Sequence, residues 1–340
     1  MLEKKRVTRQ AVAKYAGVST ATVSYVLNGL GDANHISAET QNRVREAIST
    51  LNYVRNVSAR RLAMGKTHVI SIVTDNKSVN YPINATLHRI QQGVSEVCAK
   101  RGYHSMVHGV YDNHWNLIKE DLALSHRVDG IIVINPPSEH QVIQELMEDN
   151  FPIVTLGSAR APHSYSVNID NFNSARIATQ HLIDKGHQRI AHISYSEPDL
   201  TDVVERMAGY QIAIKEANLE PYRLIRHAEY SFGSAFAIMN ELLSLKDRPS
   251  AIFAGNDITA IGCMSAIRKR GFSIPEDIAI VGFDDIPISA YLSPPLTTIQ
   301  LDGEKQGTLA ANILLDLIES RTPEQKTILL ESPLILRDST

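Results

Sequence analysis

Gly-Val-Ser-Thr-Ala-Thr-Val-Ser-Tyr-Val-Leu-Asn, residues 17–28, decides the fold of the amino-terminal region. This pattern predicts the tight turn and the second helix of a helix-turn-helix. Gly17 can take the positive φ that a sharp turn between helices needs. Ser19 is a good N-cap because its hydroxyl accepts hydrogen bonds from the free amides of the first turn. The apolar positions recur at i, i+3 and i+4 and form one buried stripe, which consists of Val23, Val26 and Leu27.

The opposite face of this second helix is small and able to form hydrogen bonds. Such side chains suit the edges of base pairs in the major groove of DNA. The residues on this face are Thr20, Ala21, Thr22, Ser24, Tyr25 and Asn28. This segment alone leaves open a small helical hairpin without a nucleic-acid partner.

The flanking sequence predicts two more helices. Thr8 can cap a first helix over residues 9–15, and Ser37 can cap a third helix that runs to about Leu51. The residues expected to face inward on the first helix are Ala11, Val12 and Tyr15. Three short helices at this spacing predict a DNA-binding domain over residues 1–52.

Charge is distributed very unevenly along the chain. Residues 1–66 hold eleven Lys or Arg and four acidic residues, a net charge of +7, whereas the whole chain carries −3, which leaves −10 for residues 67–340. A basic segment on an acidic body indicates contacts with nucleic-acid phosphates.

The composition of the chain excludes other classes of protein. No run of eighteen apolar residues is present, so we expect no membrane span, and the charged start leads into no apolar signal segment. The two cysteines, Cys98 and Cys263, lie in apolar helical patterns, which predicts buried reduced thiols. We therefore expect a cytoplasmic protein that associates with the nucleoid.

From Val69 onward, apolar strands alternate with helices. This alternation predicts doubly wound parallel sheets in two lobes, with a ligand cleft beyond the carboxyl ends of the strands. Polar residues expected near those ends are Asp75, Arg206, Asn256 and Asp284. Carboxylates, amides and a guanidinium can bind the hydroxyls of a sugar or polyol. Helix capping and turn formation are the alternative roles for these residues.

Several motifs together resemble the LacI/GalR family of bacterial transcriptional regulators over the full length of the chain. The most characteristic are Val-Ala-Lys-Tyr-Ala-Gly-Val-Ser-Thr-Ala-Thr-Val-Ser at 12–24, Ala-Arg-Arg-Leu at 59–62, Lys-Gly-His-Gln-Arg-Ile-Ala at 185–191, Ala-Gly-Asn-Asp at 254–257, Val-Gly-Phe-Asp-Asp at 281–285 and Pro-Pro-Leu-Thr-Thr-Ile at 294–299.

The resemblance implies a fold and a division into domains. The fold is an N-terminal three-helix helix-turn-helix domain followed by an α/β two-lobed core of doubly wound parallel sheets, like that of periplasmic binding proteins. A hinge helix or linker is expected over residues 53–67 and the effector-binding, dimerising core over 68–340. The expected N-lobe covers about 68–169 and 302–328, and the C-lobe about 170–301 and 329–340.

The resemblance also implies roles for residues of the DNA-binding part. Thr20, Ala21 and Tyr25 stand at base-reading positions, although the family commonly has Arg where Tyr25 stands. Leu62 matches a hinge leucine that inserts into the minor groove and kinks the duplex. Asn56 and Ala59 belong to the same hinge helix.

In the core, Arg206, Asn256 and Asp284 match the family's usual effector contacts, and Phe232 is expected to offer a ring for stacking on a sugar. The function implied is a repressor of carbohydrate-utilisation genes that acts as a homodimer. Its partners would be pseudo-palindromic double-stranded operator DNA and a small sugar or sugar derivative, with no membrane partner. The sequence does not choose between an inducer and a corepressor.

Two other functions remain as alternatives. A doubly wound enzyme would need a catalytic or phosphate-binding motif, and the chain has no G-x-G-x-x-G, H-E-x-x-H or G-x-S-x-G. His104 and His108 share one face, but thirteen histidines make this spacing expected by chance. We expect no enzymatic activity, no cofactor and no metal. The second alternative is a periplasmic sugar-binding protein, and the basic segment over residues 1–66 argues against it.

Overall fold

The computed structural model describes residues 7–53, 66–75, 84–111, 114–136, 141–157, 165–198 and 200–340. The chain divides into two units, Met1–Gly65 and Lys66–Thr340. Each unit has a hydrophobic core of its own.

The described part of the first unit is a three-helix fold. Its helices are α1 (Arg9–Ala16), α2 (Thr20–Leu27) and α3 (Ala38–Thr50). The predicted caps are confirmed, since the hydroxyl oxygens of Thr8, Ser19 and Ser37 each accept a hydrogen bond from the backbone amide three residues later. Gly17 has a φ of 66°, the left-handed conformation expected at the turn.

The inward face of α1 differs from the prediction by one position. Val12, Ala13 and Ala16 are buried, whereas Ala11 is exposed and Tyr15 is 58% exposed. The predicted stripe was therefore wrong for two of its three residues. The physical reason is that the small side chains of Ala13 and Ala16 allow this face of α1 to pack closely in the core. With this face inward, the bulky Tyr15 points outward.

The second unit contains two six-stranded sheets. The described strands are β1 (Val69–Asp75), β2 (His104–Val110), β3 (Gly130–Ile134), β4 (Ile153–Leu156), β5 (Tyr165–Ile169), β6 (Ile190–Ser194), β7 (Leu224–His227), β8 (Ala251–Ala254), β9 (Ala279–Asp284), β10 (Thr297–Gln300), β11 (Thr327–Leu330) and β12 (Leu334–Ile335). The described α-helices are α4 (Ala85–Arg101), α5 (Asn116–Ile118), α6 (Gln141–Glu148), α7 (Asn171–Asp184), α8 (Thr201–Glu216), α9 (Phe232–Leu243), α10 (Asp257–Lys269) and α11 (Gly303–Ile318).

The two sheets have the same strand pattern. The first has the order β11-β5-β4-β3-β1-β2 and the second has the order β12-β10-β9-β8-β6-β7. The neighbouring strands are parallel except for β10 and β12, so the predicted parallel sheets are confirmed. In each sheet the order in which successive strands are added reverses, between β1 and β3 in the first and between β6 and β8 in the second. Ligands of open α/β sheets bind in the crevice at such a switch point.

The chain passes between the two sheets three times. It leaves the first sheet after β5, returns after β10 through α11, and crosses again between β11 and β12. These crossings make both lobes depend on segments distant in sequence. Cys98 and Cys263 are buried and unpaired, which confirms the prediction of buried free thiols. Among the residues that the structure describes, no helix combines the length and the apolar character that a bilayer-spanning segment requires.

Helices α4 and α11 approach each other at two glycines. A Cβ atom at Gly307 would overlap the carbonyl oxygen of Ile90, and one at Gly93 would overlap that of Glu304. Because the obstructing atoms belong to the backbone of the facing helix, no side-chain movement can relieve the overlap.

We expect Gly307→Ala to lower the free energy of unfolding by about 1–3 kcal/mol, since the two helices must separate. Gly233→Ala is the matched control, because a Cβ atom there would have no neighbour within 4 Å and the φ of Gly233 is not in the left-handed range. This control should be neutral or stabilise by up to about 1 kcal/mol, because Ala favours helices. Urea unfolding measures both; equal effects would contradict the packing argument.

His192 is buried in the core of the second sheet. Its ring stacks on Tyr210 and Phe253 at centroid distances of 5.4 and 4.8 Å. Its Nδ1 lies 3.0 Å from the carbonyl oxygen of Phe253, and its Nε2 has no hydrogen-bond partner among the described residues. Burial lowers the pKa of His192 to about 4, because the core cannot solvate an imidazolium.

We expect this residue to make the protein less stable in acid. Between an unfolded pKa near 6.5 and the folded pKa of about 4, only the unfolded chain binds the proton, so stability falls as the pH drops through this window. From pH 7 to pH 4.5 the loss should be about 2–3 kcal/mol. His192→Phe keeps a stacked ring but cannot titrate. If urea unfolding shows the same pH dependence for both proteins, the prediction is wrong.

Candidate functional site

A cavity lies between the two sheets at the carboxyl ends of their strands. About 800 Å³ of atom-free space lies in the cavity and at its open mouth together. Residues from the first half of the core that line it include Thr74, Asn84, Thr86, Ile134, Asn135 and Leu156. Residues from the second half include Asn171, Tyr195, Asp202, Arg206, Tyr230, Asn256 and Asp284. A polar cleft at the switch points of two parallel sheets can enclose a small hydroxylated molecule.

Arg206 lies on α8, lines the cavity and is only 4% exposed. Its Nε donates to Oδ1 of Asn171 at 2.9 Å, and its Nη1 donates to the carbonyl oxygen of Gly255 at 2.6 Å. The guanidinium stacks on the ring of Phe283, 3.6 Å from its centroid. These contacts hold the guanidinium in one orientation.

Two buried carboxylates flank Arg206. Its Nη2 is 3.6 Å from Oδ2 of Asp202, and its Nη1 is 3.8 Å from Oδ1 of Asp284. Burial raises the pKa of Asp284 to about 6, an effect that the positive charge of Arg206 opposes. The cavity therefore has acceptor oxygens on both sides of its guanidinium.

Asp202 was missed by the sequence reasoning. Its Oδ2 accepts from Nδ2 of Asn135 at 3.1 Å and from the hydroxyl of Tyr195, and its Oδ1 accepts from the amide of Val203. Burial, reinforced by Asp202, raises the pKa of Tyr195 well above its usual value, so the phenol keeps the proton that it donates. The one signal in the sequence is the spacing of an acid four residues before Arg206 on a helix.

Asn256 has two separate functions in the structure. Its Oδ1 accepts from the amide of Thr259 at 2.8 Å, so the capping alternative is confirmed. Its Nδ2 is buried and has no hydrogen-bond partner in the described part of the chain. Because Asn256 lines the cavity, this amide is available to donate to an acceptor on a ligand.

Neighbouring Asp284 and Asp285 have different partners. Oδ2 of Asp284 accepts from the hydroxyl of Thr86 at 3.3 Å, whereas Oδ1 of Asp285 pairs with Nη2 of Arg337 at 2.6 Å. These different partners show that the two side chains point apart, as neighbouring residues at the end of a strand do. Only Asp284 faces the cavity.

Direct hydrogen bonds cross the cavity from one half of the core to the other. Beside the Asn135–Asp202 and Thr86–Asp284 pairs, the hydroxyl of Thr201 donates to the carbonyl oxygen of Pro136 at 3.2 Å. A ligand that enters between the halves can replace or complete these contacts. The residues that hold the two halves together are therefore also residues that a ligand in the cavity can contact.

The outward face of α2 is polar and carries no charged side chain. Thr20, Ala21 and Asn28 are exposed, and Tyr25 is 41% exposed. Thr22 hydrogen-bonds to Ser19, and Nδ2 of Asn28 donates to the carbonyl oxygen of Ser24 at 2.8 Å. The apolar stripe of the same helix is on the other side, as predicted.

Comparison with known proteins gives the same two-part division. Residues 8–56 match the description "Bacterial regulatory proteins, lacI family", and residues 179–340 match "Periplasmic binding protein-like domain". The chain is 33% identical over 337 residues to the ribose operon repressor of Escherichia coli (strain K12), covering 98% of this chain and 99% of that protein. The chain belongs to the LacI family.

Two solved structures of regulators resemble this LacI-family chain. A lac repressor dimer bound to operator and the anti-inducer ONPF has a TM-score of 0.84 at 28% identity, covering 98% of this chain and 99% of that one. A transcriptional regulator CelR–cellobiose complex has a TM-score of 0.73 at 31% identity, covering 98% of this chain and 100% of that one. The predicted helix-turn-helix and periplasmic-binding-protein-like fold is confirmed.

The structure brings together three of the five predicted effector residues of this LacI-family protein: Arg206, Asn256 and Asp284 all line the cavity. Phe232 begins α9 and is not among the lining residues, whose aromatic members are Tyr195 and Tyr230.

For the other predicted site residues, the structure describes either the backbone alone or nothing. Asp75 ends β1, and only its backbone is described. The predicted hinge residues Asn56, Ala59 and Leu62 are outside the described residues. The tyrosines of the cavity could have been found from sequence only by their nearness to strand ends, as for Tyr195 directly after β6.

Proposed function

We propose that this protein is a sequence-specific DNA-binding regulator that represses carbohydrate-utilisation genes. A small sugar-like effector bound in the cavity would switch its affinity for DNA. The observation that carries the proposal is the cluster of oriented groups in the cavity: the fixed guanidinium of Arg206, the carboxylate of Asp284 and the unpaired Nδ2 of Asn256. Such groups match hydroxyls, which both donate and accept hydrogen bonds.

We propose a separate function for each of three consecutive segments of the chain. Residues 1–52 would read the operator, residues 53–67 would form the hinge, and residues 68–340 would bind the effector and dimerise. The side chains proposed to contact DNA are Thr8, Ser19, Thr20, Ala21, Thr22, Ser24, Tyr25, Asn28, Asn56, Ala59 and Leu62.

The proposed switch has two states that differ in the placement of the lobes. The hydrogen bonds that cross the cavity give one placement a stability of its own, and an effector shifts the balance only by its difference in affinity for the two states. A change from 1:99 to 99:1 needs about 5.5 kcal/mol of such difference. The same parts can produce induction or corepression.

The proposed partners come from the relatives. One related structure is a repressor dimer on its operator, and another holds cellobiose. For this chain we propose a homodimer on pseudo-palindromic duplex DNA in the cytoplasm, associated with the nucleoid. A regulator of this kind has no need of a catalytic group, a cofactor or a metal.

Selection of genomic fragments tests the proposal. The full-length protein is immobilised, fragments of the source genome are bound at low salt, and retained DNA is sequenced before and after neutral sugars are added. We expect enrichment of fragments that share a pseudo-palindrome and a change in retention with at least one sugar. A protein that enriches no sequence is not a sequence-specific regulator.

A further inference from the structure

The cavity has an unbalanced set of charges. Among the described residues that line it, the acidic and basic side chains are Asp202, Arg206 and Asp284, whose formal charges sum to −1. All three are less than one tenth exposed. Charges in such a site are weakly screened by solvent, so their sign strongly affects which ligands can enter.

Arg206 is already committed to partners within the protein. Its Nε and Nη1 donate to Asn171 and Gly255, and both of its Nη atoms lie within 4 Å of a carboxylate oxygen. One face of the guanidinium is covered by the ring of Phe283. An anionic ligand would have to displace a carboxylate to form the two-pronged contact that Arg otherwise offers to anions.

Asp202 is one of the two carboxylates that face the single guanidinium of Arg206. Two donors, Nδ2 of Asn135 and the hydroxyl of Tyr195, point at one of its oxygens from different sides. These neutral donors hold the carboxylate in place without cancelling its charge. A ligand hydroxyl can donate to a carboxylate in this environment, whereas an ionised phosphate or carboxylate can only accept and would be repelled.

We propose that Asp202 is a specificity-determining residue that makes the cavity accept uncharged polyhydroxy effectors and reject phosphorylated or acidic sugars. The proposal rests on the proposed function, because it specifies the effector of the same site. Asn256 contributes the complementary donor, since its free Nδ2 can bind a hydroxyl oxygen of the same ligand.

Matched pairs of sugars test the proposal on the full-length wild-type protein. The probes are D-ribose with D-ribose 5-phosphate, D-glucose with D-glucose 6-phosphate and gluconate, and cellobiose. Binding is measured at pH 8, well above the pKa of about 6 of Asp284. Thermal shift identifies the binders, and calorimetry gives Kd. For the best neutral sugar that has an anionic counterpart, we expect the counterpart to bind about 100-fold more weakly or worse, as like charges in a desolvated site repel strongly.

The outcomes separate this inference from the proposed function. An anionic member that binds as tightly as its neutral counterpart, or more tightly, overturns the inference and leaves a sugar-responsive regulator intact. A panel in which no sugar of either kind binds removes the sugar effector from the proposed function and this inference with it.

Asp202→Asn tests the residue itself. The amide keeps an acceptor oxygen for Asn135 and Tyr195 but removes the charge, so we expect the ratio of the anionic to the neutral Kd to fall at least about tenfold. A purely structural role would weaken both members equally and leave the ratio unchanged. Asp247→Asn is the matched control, because Asp247 is exposed and is not among the cavity-lining residues. An unchanged ratio in Asp202→Asn overturns the assignment.

Discussion

Raising the salt concentration from 50 to 200 mM should lower the affinity of this protein for its operator by about 10³-fold or more. The reason is the charge of residues 1–66, which is +7 in a chain whose remaining residues sum to −10. Each phosphate that a Lys or Arg neutralises releases counterions from the duplex, and added salt reverses this gain. The outward face of α2 carries no charge, so base-edge contacts there should add little to the salt dependence.

Fluorescence anisotropy on a selected genomic fragment measures this effect. With six or more phosphate contacts, a plot of log K against log salt should have a slope of roughly −5 or steeper. Binding of a neutral sugar to the same preparation is the control and should change little, because the ligand has no charge to screen. A flat response of DNA binding would remove the basic segment from the interface.

Arg206→Ala should abolish the response of DNA binding to the effector and destabilise the core. Removing the guanidinium leaves Asp202 and Asp284 as uncompensated buried carboxylates, a change that costs about 3–5 kcal/mol when one partner of a buried pair is deleted. The hydrogen bonds to Asn171 and Gly255 are lost at the same time. DNA binding without effector should remain, since α1–α3 have a core of their own.

Two further variants separate the charge of Arg206 from its shape. Arg206→Lys keeps the positive charge but cannot form the fork of donors, so we expect a smaller loss of stability and the same loss of the effector response. Arg176→Ala is the matched control, because its pair with Glu216 at 3.5 Å is 40% and 52% exposed and should be worth less than about 1 kcal/mol. The change in operator affinity when effector is added and the free energy of unfolding in urea are measured for all three variants. An unaltered effector response in Arg206→Ala would exclude this residue from the site.

The sequence predictions that the structure confirms depend mainly on residues close together in the chain. Thr8, Ser19 and Ser37 cap their helices because a cap needs only its own hydroxyl and an amide three residues away. The alternation of strands and helices predicted two parallel sheets for a similar reason. Each continuous apolar run indicates a buried strand by its own composition, without reference to distant residues. Positions near strand ends and family motifs indicated Arg206, Asn256 and Asp284, and all three line the cavity, while their contact with an effector stays a prediction.

The sequence by itself therefore determined the order of the elements, their caps and the identity of several polar residues at strand ends. Only the tertiary structure decided that Asp202 and Tyr195 join Arg206 in the cavity, that Phe232 does not line it, and that α1 turns Tyr15 outward. These features depend on contacts between different elements, such as that of Asp202 with Asn135 and that of α1 with α3. Local patterns fix the face of a residue on its own element, but the partner of that face is set by how the elements pack.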